Sequence, residues 1–94
     1  MPLTKTRKER IIKKFRVHKT DTGSPEVQIA ILTAEIKQLT NHMKKHKHDF
    51  SSRLGLIRKV QERKKLLTYL ERENEDSYKK LTKALKIKVP KKDI

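Results

Sequence analysis

Cysteine and tryptophan are absent from this chain of 94 residues, and aromatic residues make up only 4% of it. Without cysteine there are no disulfide staples, no thiol nucleophile and no cysteine-based zinc site. Hydrophobic residues reach 33%, so a chain this short builds a modest core, and an aliphatic one of Ile, Leu and Val. Two glycines and three prolines leave little turn chemistry for a sheet and much room for helix. No apolar run approaches the ~18 to 20 residues of a membrane span, and the basic segments carry few of the large aromatics that anchor a helix at a membrane surface. The opening stretch MPLTKTRKERIIKKF lacks the apolar centre of a secretory signal. Its basic, amphipathic character suits a mitochondrial targeting segment, but Glu9 and Pro2 argue against one. The expectation is a single cytoplasmic domain spanning 1–94, without a membrane role.

Positive charge is what the chain has in abundance. Lys and Arg number 26 against 11 acids, a formal net charge of +15. Such a chain repels itself when free and gains when a polyanion neutralises it. Nucleic acid is the polyanion that fits, because contacts that ignore base sequence still release counterions from phosphates. Residues 1–20 hold eight basic groups and one acid, residues 21–50 four of each, and residues 51–70 six against one. The positive potential is therefore expected from both ends of the chain and from the helix before its C-terminal third.

Four helices are predicted. The first runs over about 4–16, with Thr4 as cap and Ile11, Ile12 and Phe15 as its apolar side; its short pattern is marginal alone in water. The second, about 24–45, has the best-marked start: Ser24 as cap, Pro25 at the first helical position and Glu26 at the positive end of the dipole. Ile29, Leu32, Ile36, Leu39 and Met43 form its main stripe, with Val27, Ile31 and Ala34 on nearly the opposite side. The third, about 50–72, takes Asp49, Ser51 or Ser52 as cap and buries Leu56, Val60, Leu67 and Leu70. Gly55 near its start implies either a frayed first turn or the close approach of a neighbouring backbone. The fourth, about 74–86, takes Asn74 as cap and buries Tyr78, Leu81 and Leu85; a basic tail, 88–94, follows. Short connections imply an all-α fold, an antiparallel bundle of helices 2 to 4 plus a more loosely packed N-terminal helix.

Helical phase separates this core from a candidate surface. Arg58, Glu62, Lys65, Tyr69 and Arg72 fall within a narrow arc of helix 3, away from its predicted apolar side. Tyr69 is a large ring on a face with no packing need for one: it contacts a ribose, phosphate or unstacked base, or it packs on helix 1 or lies idle. Lys64 and Lys65, with Arg58 and Arg72 two turns to either side, suit phosphate contacts that position without reading sequence. A second line runs down helix 2 through Gln28, Glu35 and His42. Gln28 lies beside the loop of Thr22 and Gly23, so one ligand touches both. Glu35 cannot donate to phosphate; it pairs with a nearby base or marks the edge of the footprint. Asp49 and Ser52 offer an acceptor and a hydroxyl to an RNA minor groove, where 2'-hydroxyls and the guanine amino group are exposed, or they serve only as a helix cap.

Two further patterns carry no chemistry. His18, His42, His46 and His48 include one pair a helical turn apart, but no third ligand stands at metal spacing, so no metal and no cofactor are expected. Asp21-Thr22-Gly23 matches the catalytic tripeptide of aspartic proteases, yet it leads into a capped helix rather than a closed site with two carboxylates.

Several ordered motifs resemble the family of ribosomal small-subunit protein 15 over residues 2 to about 88. These are Asp21-Thr22-Gly23-Ser24-Pro25-Glu26-Val27-Gln28, Leu39-Thr40-Asn41-His42, Lys47-His48-Asp49, Ser52-Arg53-Leu54-Gly55-Leu56 and Arg63-Lys64-Lys65-Leu66-Leu67-Thr68-Tyr69-Leu70. The resemblance implies a four-helix protein, monomeric when free, that binds the central domain of small-subunit ribosomal RNA at a three-way junction and at a nearby paired site with a G-U/G-C element. Carried onto matching positions, Thr22, Gly23, Gln28 and Tyr69 touch the junction, and His42, Asp49 and Ser52 the paired site; apart from the resemblance, charge makes Arg53, Arg58, Lys64, Lys65 and Arg72 the expected basic contacts. It also implies early assembly that lets other small-subunit proteins bind, and a bridge to large-subunit RNA. This chain departs from the family pattern at Glu35, where an arginine or another donor is common and where Lys37 substitutes only by reaching around the helix. It departs again at Phe50, Ser51 and Leu54, which put flanking polar contacts of the paired site in doubt.

Two rival classes remain. A general nucleic-acid-compacting protein explains the charge but not the phase of Gln28, His42 and Tyr69, and a protein-interaction bundle would show an extended apolar surface patch. An enzyme is disfavoured, since no acid, base and nucleophile are brought together.

Overall fold

A computed structural model describes residues 3–16 and 23–87. Within them the chain forms α1 (Lys5–Phe15), α2 (Pro25–Lys45), α3 (Phe50–Glu73) and α4 (Glu75–Leu85), and no strand. Thr22, the His18 position, the Asp21 of the protease-like tripeptide and the 88–94 tail lie outside the described residues.

Each helix starts where a short polar side chain meets its open amides. Thr4 Oγ1 accepts from the Arg7 amide at 3.2 Å, Ser24 Oγ from Val27 at 3.3 Å, Asp49 Oδ1 from Ser52 at 3.1 Å and Asn74 Oδ1 from Ser77 at 3.1 Å. Such a cap contributes about 1 kcal/mol. Pro25 occupies the first turn of α2, and Glu75 and Asp76 the first turn of α4. Lys86 ends α4 in the left-handed conformation at φ 55°, and its backbone amide donates to the last carbonyls of the helix.

The largest interface joins α2 to α3, with α4 packed on both and α1 principally on α2. Ile29, Leu70, Tyr78 and Leu81 form the central cluster, and Phe15, Leu66, Leu67, Leu85 and Ile87 pack against it. On the α1 side of α2, Val27 and Ala30 are buried, as is Leu3 ahead of α1. Each large aliphatic chain buried in this way stabilises by roughly 1.5 to 3 kcal/mol. The molecule is a slab of 39 × 39 × 17 Å, so most helices keep one face in water.

Two expectations for α3 are corrected. Val60 is 41% exposed rather than core. The packed side of α3 follows Ser52, Lys59, Arg63, Leu66 and Leu70, so Val60 stands at its edge and Tyr69 on its flank rather than opposite it. Length supplies the reason: α3 has 24 residues and α4 only 11, about 36 Å against 16 Å, so α4 covers the end of α3 and leaves its beginning bare. Phe50, Leu54 and Ile57 stand exposed there. Gly55 has no close neighbour either; a Cβ built on it would meet nothing within 4 Å, and the helix is already regular at that point.

Candidate nucleic-acid interface

The α2–α3 hairpin carries the predicted residues at its two ends. Glu35 and Lys59 pair across it at 3.1 Å, and Arg63 Nη1 donates to Thr33 Oγ1 at 3.3 Å. The nearby base for Glu35 is thus Lys59, and the pair is half-buried between helices, with the Glu35 side chain only 14% exposed. Lys37 projects from the other side of α2 toward α1 and does not substitute for a donor at position 35. Burial lowers the pKa of Arg63 from its ordinary value, which leaves a guanidinium charged at neutral pH.

At the turn between α2 and α3, three predicted residues close into one network. Asp49 Oδ2 accepts from His42 Nε2 at 2.8 Å and from the Ser52 hydroxyl at 2.7 Å, while Oδ1 accepts from the Ser52 amide. Asp49 therefore caps α3 and fixes two side chains together. The Ser52 hydroxyl, then the His42 ring, then the Ser52 amide hold the Asp49 carboxyl well below the usual carboxylate range. The contact requires the proton of His42 on Nε2. The Ser52 oxygen, having donated, keeps its lone pairs for an incoming donor. Free acceptors on a rigid frame are what a guanine amino group or a 2'-hydroxyl in an RNA minor groove needs. His46 stacks on His42 with centroids 4.5 Å apart. Arg53 donates from Nη2 to the Lys47 carbonyl at 3.1 Å and lies 5.8 Å from the Phe50 ring.

The other end is built differently. Gln28 Nε2 donates to the Gly23 carbonyl at 2.6 Å, which brings together two of the residues assigned to one ligand. The pairing of Glu35 with Lys59 and of Thr33 with Arg63 places Gln28 about level with residues 66–68 of α3. Around that level, Lys64, Lys65, Thr68, Tyr69 and Arg72 line an open groove of about 350 Å³. Tyr69 is 46% exposed, and Arg72 lies 5.7 Å from its ring centroid. Arg58 is exposed on the same arc but about 16 Å earlier along the helix, outside the groove.

Gln28 and His42 are 14 positions apart on one helix, about 21 Å. The two patches thus stand at fixed spacing on a basic helical slab. Among the described residues no group of three His, Asp or Glu is placed to hold a metal ion, and no helix is long and apolar enough to cross a membrane.

Residues 8–88 match the sequence profile of the family described as Ribosomal protein S15. The chain is 53% identical over 85 residues to the small ribosomal subunit protein uS15 of Dictyoglomus thermophilum, covering 90% of this chain and 96% of that one. It is 51% identical over 88 residues to the uS15 of Staphylococcus carnosus, covering 94% and 99%, and 52% identical over 85 residues to that of Carboxydothermus hydrogenoformans, covering 90% and 96%. The chain belongs to the ribosomal protein S15 family, whose members are structural rather than enzymatic.

The sequence does not single out Lys59, which holds Glu35; Phe50, a departure from the family pattern, stands 65% exposed beside Asp49. Positions 50, 54 and 57 share one stripe of α3, opposite its packed side, and all three are exposed.

Proposed function

We propose that this chain is a structural constituent of the small ribosomal subunit, in the cytoplasmic ribosome, and a primary binder of the central domain of its RNA. The His42–Asp49–Ser52 end reads a paired element through guanine amino and 2'-hydroxyl donors. The other end, with Thr22, Gly23, Gln28 and Tyr69, grips a three-way junction, and Lys64, Lys65, Arg72, Arg58 and Arg53 neutralise phosphates nearby. Holding both elements at one spacing fixes the angle between RNA arms, prepares a surface for further small-subunit proteins and presents the protein to large-subunit RNA across the subunit interface.

The observation that carries this reading is the completed network at Asp49. Three polar side chains, from two helices and the turn between them, are locked before any ligand arrives, an arrangement that phosphate attraction alone does not require. The test is binding to central-domain junction RNA and to a plain duplex of equal length as salt is raised. Preference for the junction that survives high salt supports the reading. Equal affinities with equally steep salt dependence would reduce the protein to a general polyanion binder.

A further inference from the structure

The start of α3 is covered by α2 on one side only. α1 packs on α2 and not on α3, and the shorter α4 packs on the later half of α3 through Leu66, Leu67 and Leu70. On the bare part Phe50, Leu54, Ile57 and Val60 follow each other at steps of four, three and three, so they form one strip along the helix. The strip runs from the side opposite α2 round to the edge of the packed side, and exposure falls along it from Phe50 to Val60, toward the length that α4 covers. Among the described residues, four of the five large apolar side chains left exposed are in this strip, the fifth being Tyr69. Single exposed apolar side chains are ordinary, whereas a contiguous row marks a surface that another body covers.

The chemistry of the strip narrows what that body is. Leu54, Ile57 and Val60 offer neither a ring face nor a hydrogen bond, so they gain little from bases or phosphates and most from other apolar side chains. Charge narrows it further. Between Phe50 and Leu70 the only acid of α3 is Glu62, which stands well round the helix from the strip. Arg53 borders the strip on one side, Arg58 and Lys65 on the other, and Lys64 stands one turn beyond Val60. A second copy of this chain, at a net charge of +15, carries the same sign as that frame, and so does its own C-terminal segment, with Lys88, Lys91 and Lys92 against Asp93. A partner that presents carboxylates carries the opposite sign.

We propose that the strip from Phe50 to Val60 docks an amphipathic helix of another protein, one whose apolar stripe is bordered by aspartate and glutamate. That helix lies along α3 in the place that a longer α4 would fill, with its carboxylates against the bordering cations. Four side chains make a small interface of the weak, exchanging kind. The inference goes beyond the RNA reading and does not rest on it. Because that reading gives the same cations to phosphates, the contacts that decide for the partner helix are the four apolar side chains.

The test uses the full chain and a synthetic helical peptide of three heptads, with leucine along one stripe and glutamate on both sides of it. A peptide of the same composition, permuted to destroy the helical period, is the control for charge. Fluorescence anisotropy is expected to show saturable binding of the ordered peptide. Leu54→Gln/Ile57→Gln should weaken it roughly tenfold or more, as the loss of two apolar contacts requires, with thermal unfolding and junction RNA affinity unchanged. No binding of the ordered peptide, equal binding of the permuted one, or equal binding to the double variant overturns the proposal. So does a dimer in sedimentation that Leu54→Gln/Ile57→Gln abolishes, which would give the strip to a second copy. Peptide binding that appears only in Val89→Gln/Ile94→Gln would give it to the C-terminal segment, and a loss confined to RNA affinity in the Leu54/Ile57 variant would give it to RNA; either overturns the partner helix. Absence of junction preference in the unaltered chain, by contrast, overturns the RNA reading and leaves the docking strip standing.

Discussion

The two ends of the α2–α3 hairpin solve different problems. At the Asp49 end, the side chains of His42, Asp49 and Ser52 are tied together through hydrogen bonds of 2.7 and 2.8 Å, and the Asp49 carboxylate also caps the Ser52 amide at 3.1 Å. At the Tyr69 end, long cationic chains and a half-exposed ring border an open groove, with links only from side chain to backbone, Gln28 to the Gly23 carbonyl at 2.6 Å and Thr68 to the Lys64 carbonyl at 2.9 Å. A group that discriminates donors must be held in place, because an imprecise acceptor cannot tell one base edge from another. A group that neutralises phosphate needs charge and reach more than fixed geometry. The half-buried Glu35–Lys59 pair lies between the ends and keeps them in register.

This contrast breaks most visibly if Ser52 is altered. Ser52→Ala removes the acceptor that the network presents, and affinity for RNA carrying the paired guanine is expected to fall roughly 10- to 100-fold. The loss should nearly vanish when that guanine is replaced by inosine, which lacks the amino group; an equal loss on both RNAs would mean that Ser52 acts only in the helix cap. Tyr69→Ala should weaken junction RNA by roughly tenfold, within the range of one lost stacking contact, with unfolding free energy unchanged to about 0.5 kcal/mol because the ring is on the exposed flank. Denaturant titration beside binding separates the two effects, and unaltered junction affinity would remove Tyr69 from the site. Lys64→Ala is expected to weaken junction and unrelated duplex by similar small factors, with the salt slope lowered by about one; a loss confined to the junction would give Lys64 a recognising role.

Acid distinguishes the ends as well. The depressed pKa of Asp49 means that the folded state holds the carboxylate more readily than the unfolded chain does. Its contribution to stability is therefore complete above the ordinary carboxylate range near ~4 and is lost as pH falls through that range toward the lower folded value. Thermal unfolding followed from neutral pH downward should show this loss in the unaltered chain and a smaller one in Asp49→Asn. The smallest expected effect is at Gly55: with open space around a Cβ, Gly55→Ala should stabilise by about 0.5 to 1 kcal/mol, measured by denaturant midpoint, and a destabilised variant would show that the start of α3 is less regular than it stands.

The helices and their starts were legible because capping is local. Thr4, Ser24, Asp49 and Asn74 each act on an amide three residues on, a distance that sequence displays directly. The main stripe of α2 was legible for the same reason. The packed side of α3 was legible at Leu67 and Leu70 but not earlier along the helix, because there it contains Lys59 and Arg63, whose burial depends on partners 24 and 30 residues away, and because α4 is too short to cover Val60. In the candidate site, phase alone set Gln28, His42 and Tyr69 apart. The union of His42, Asp49 and Ser52 required the turn between α2 and α3, which leaves no pattern in one dimension.

The central claim is that two patches about 21 Å apart on a rigid hairpin hold two RNA elements at once. It is tested most directly by inserting two base pairs between the junction and the paired element and measuring the affinity at fixed salt. The account predicts that the altered RNA binds no better than an RNA bearing one element alone, whereas affinity close to that of the natural spacing would contradict it.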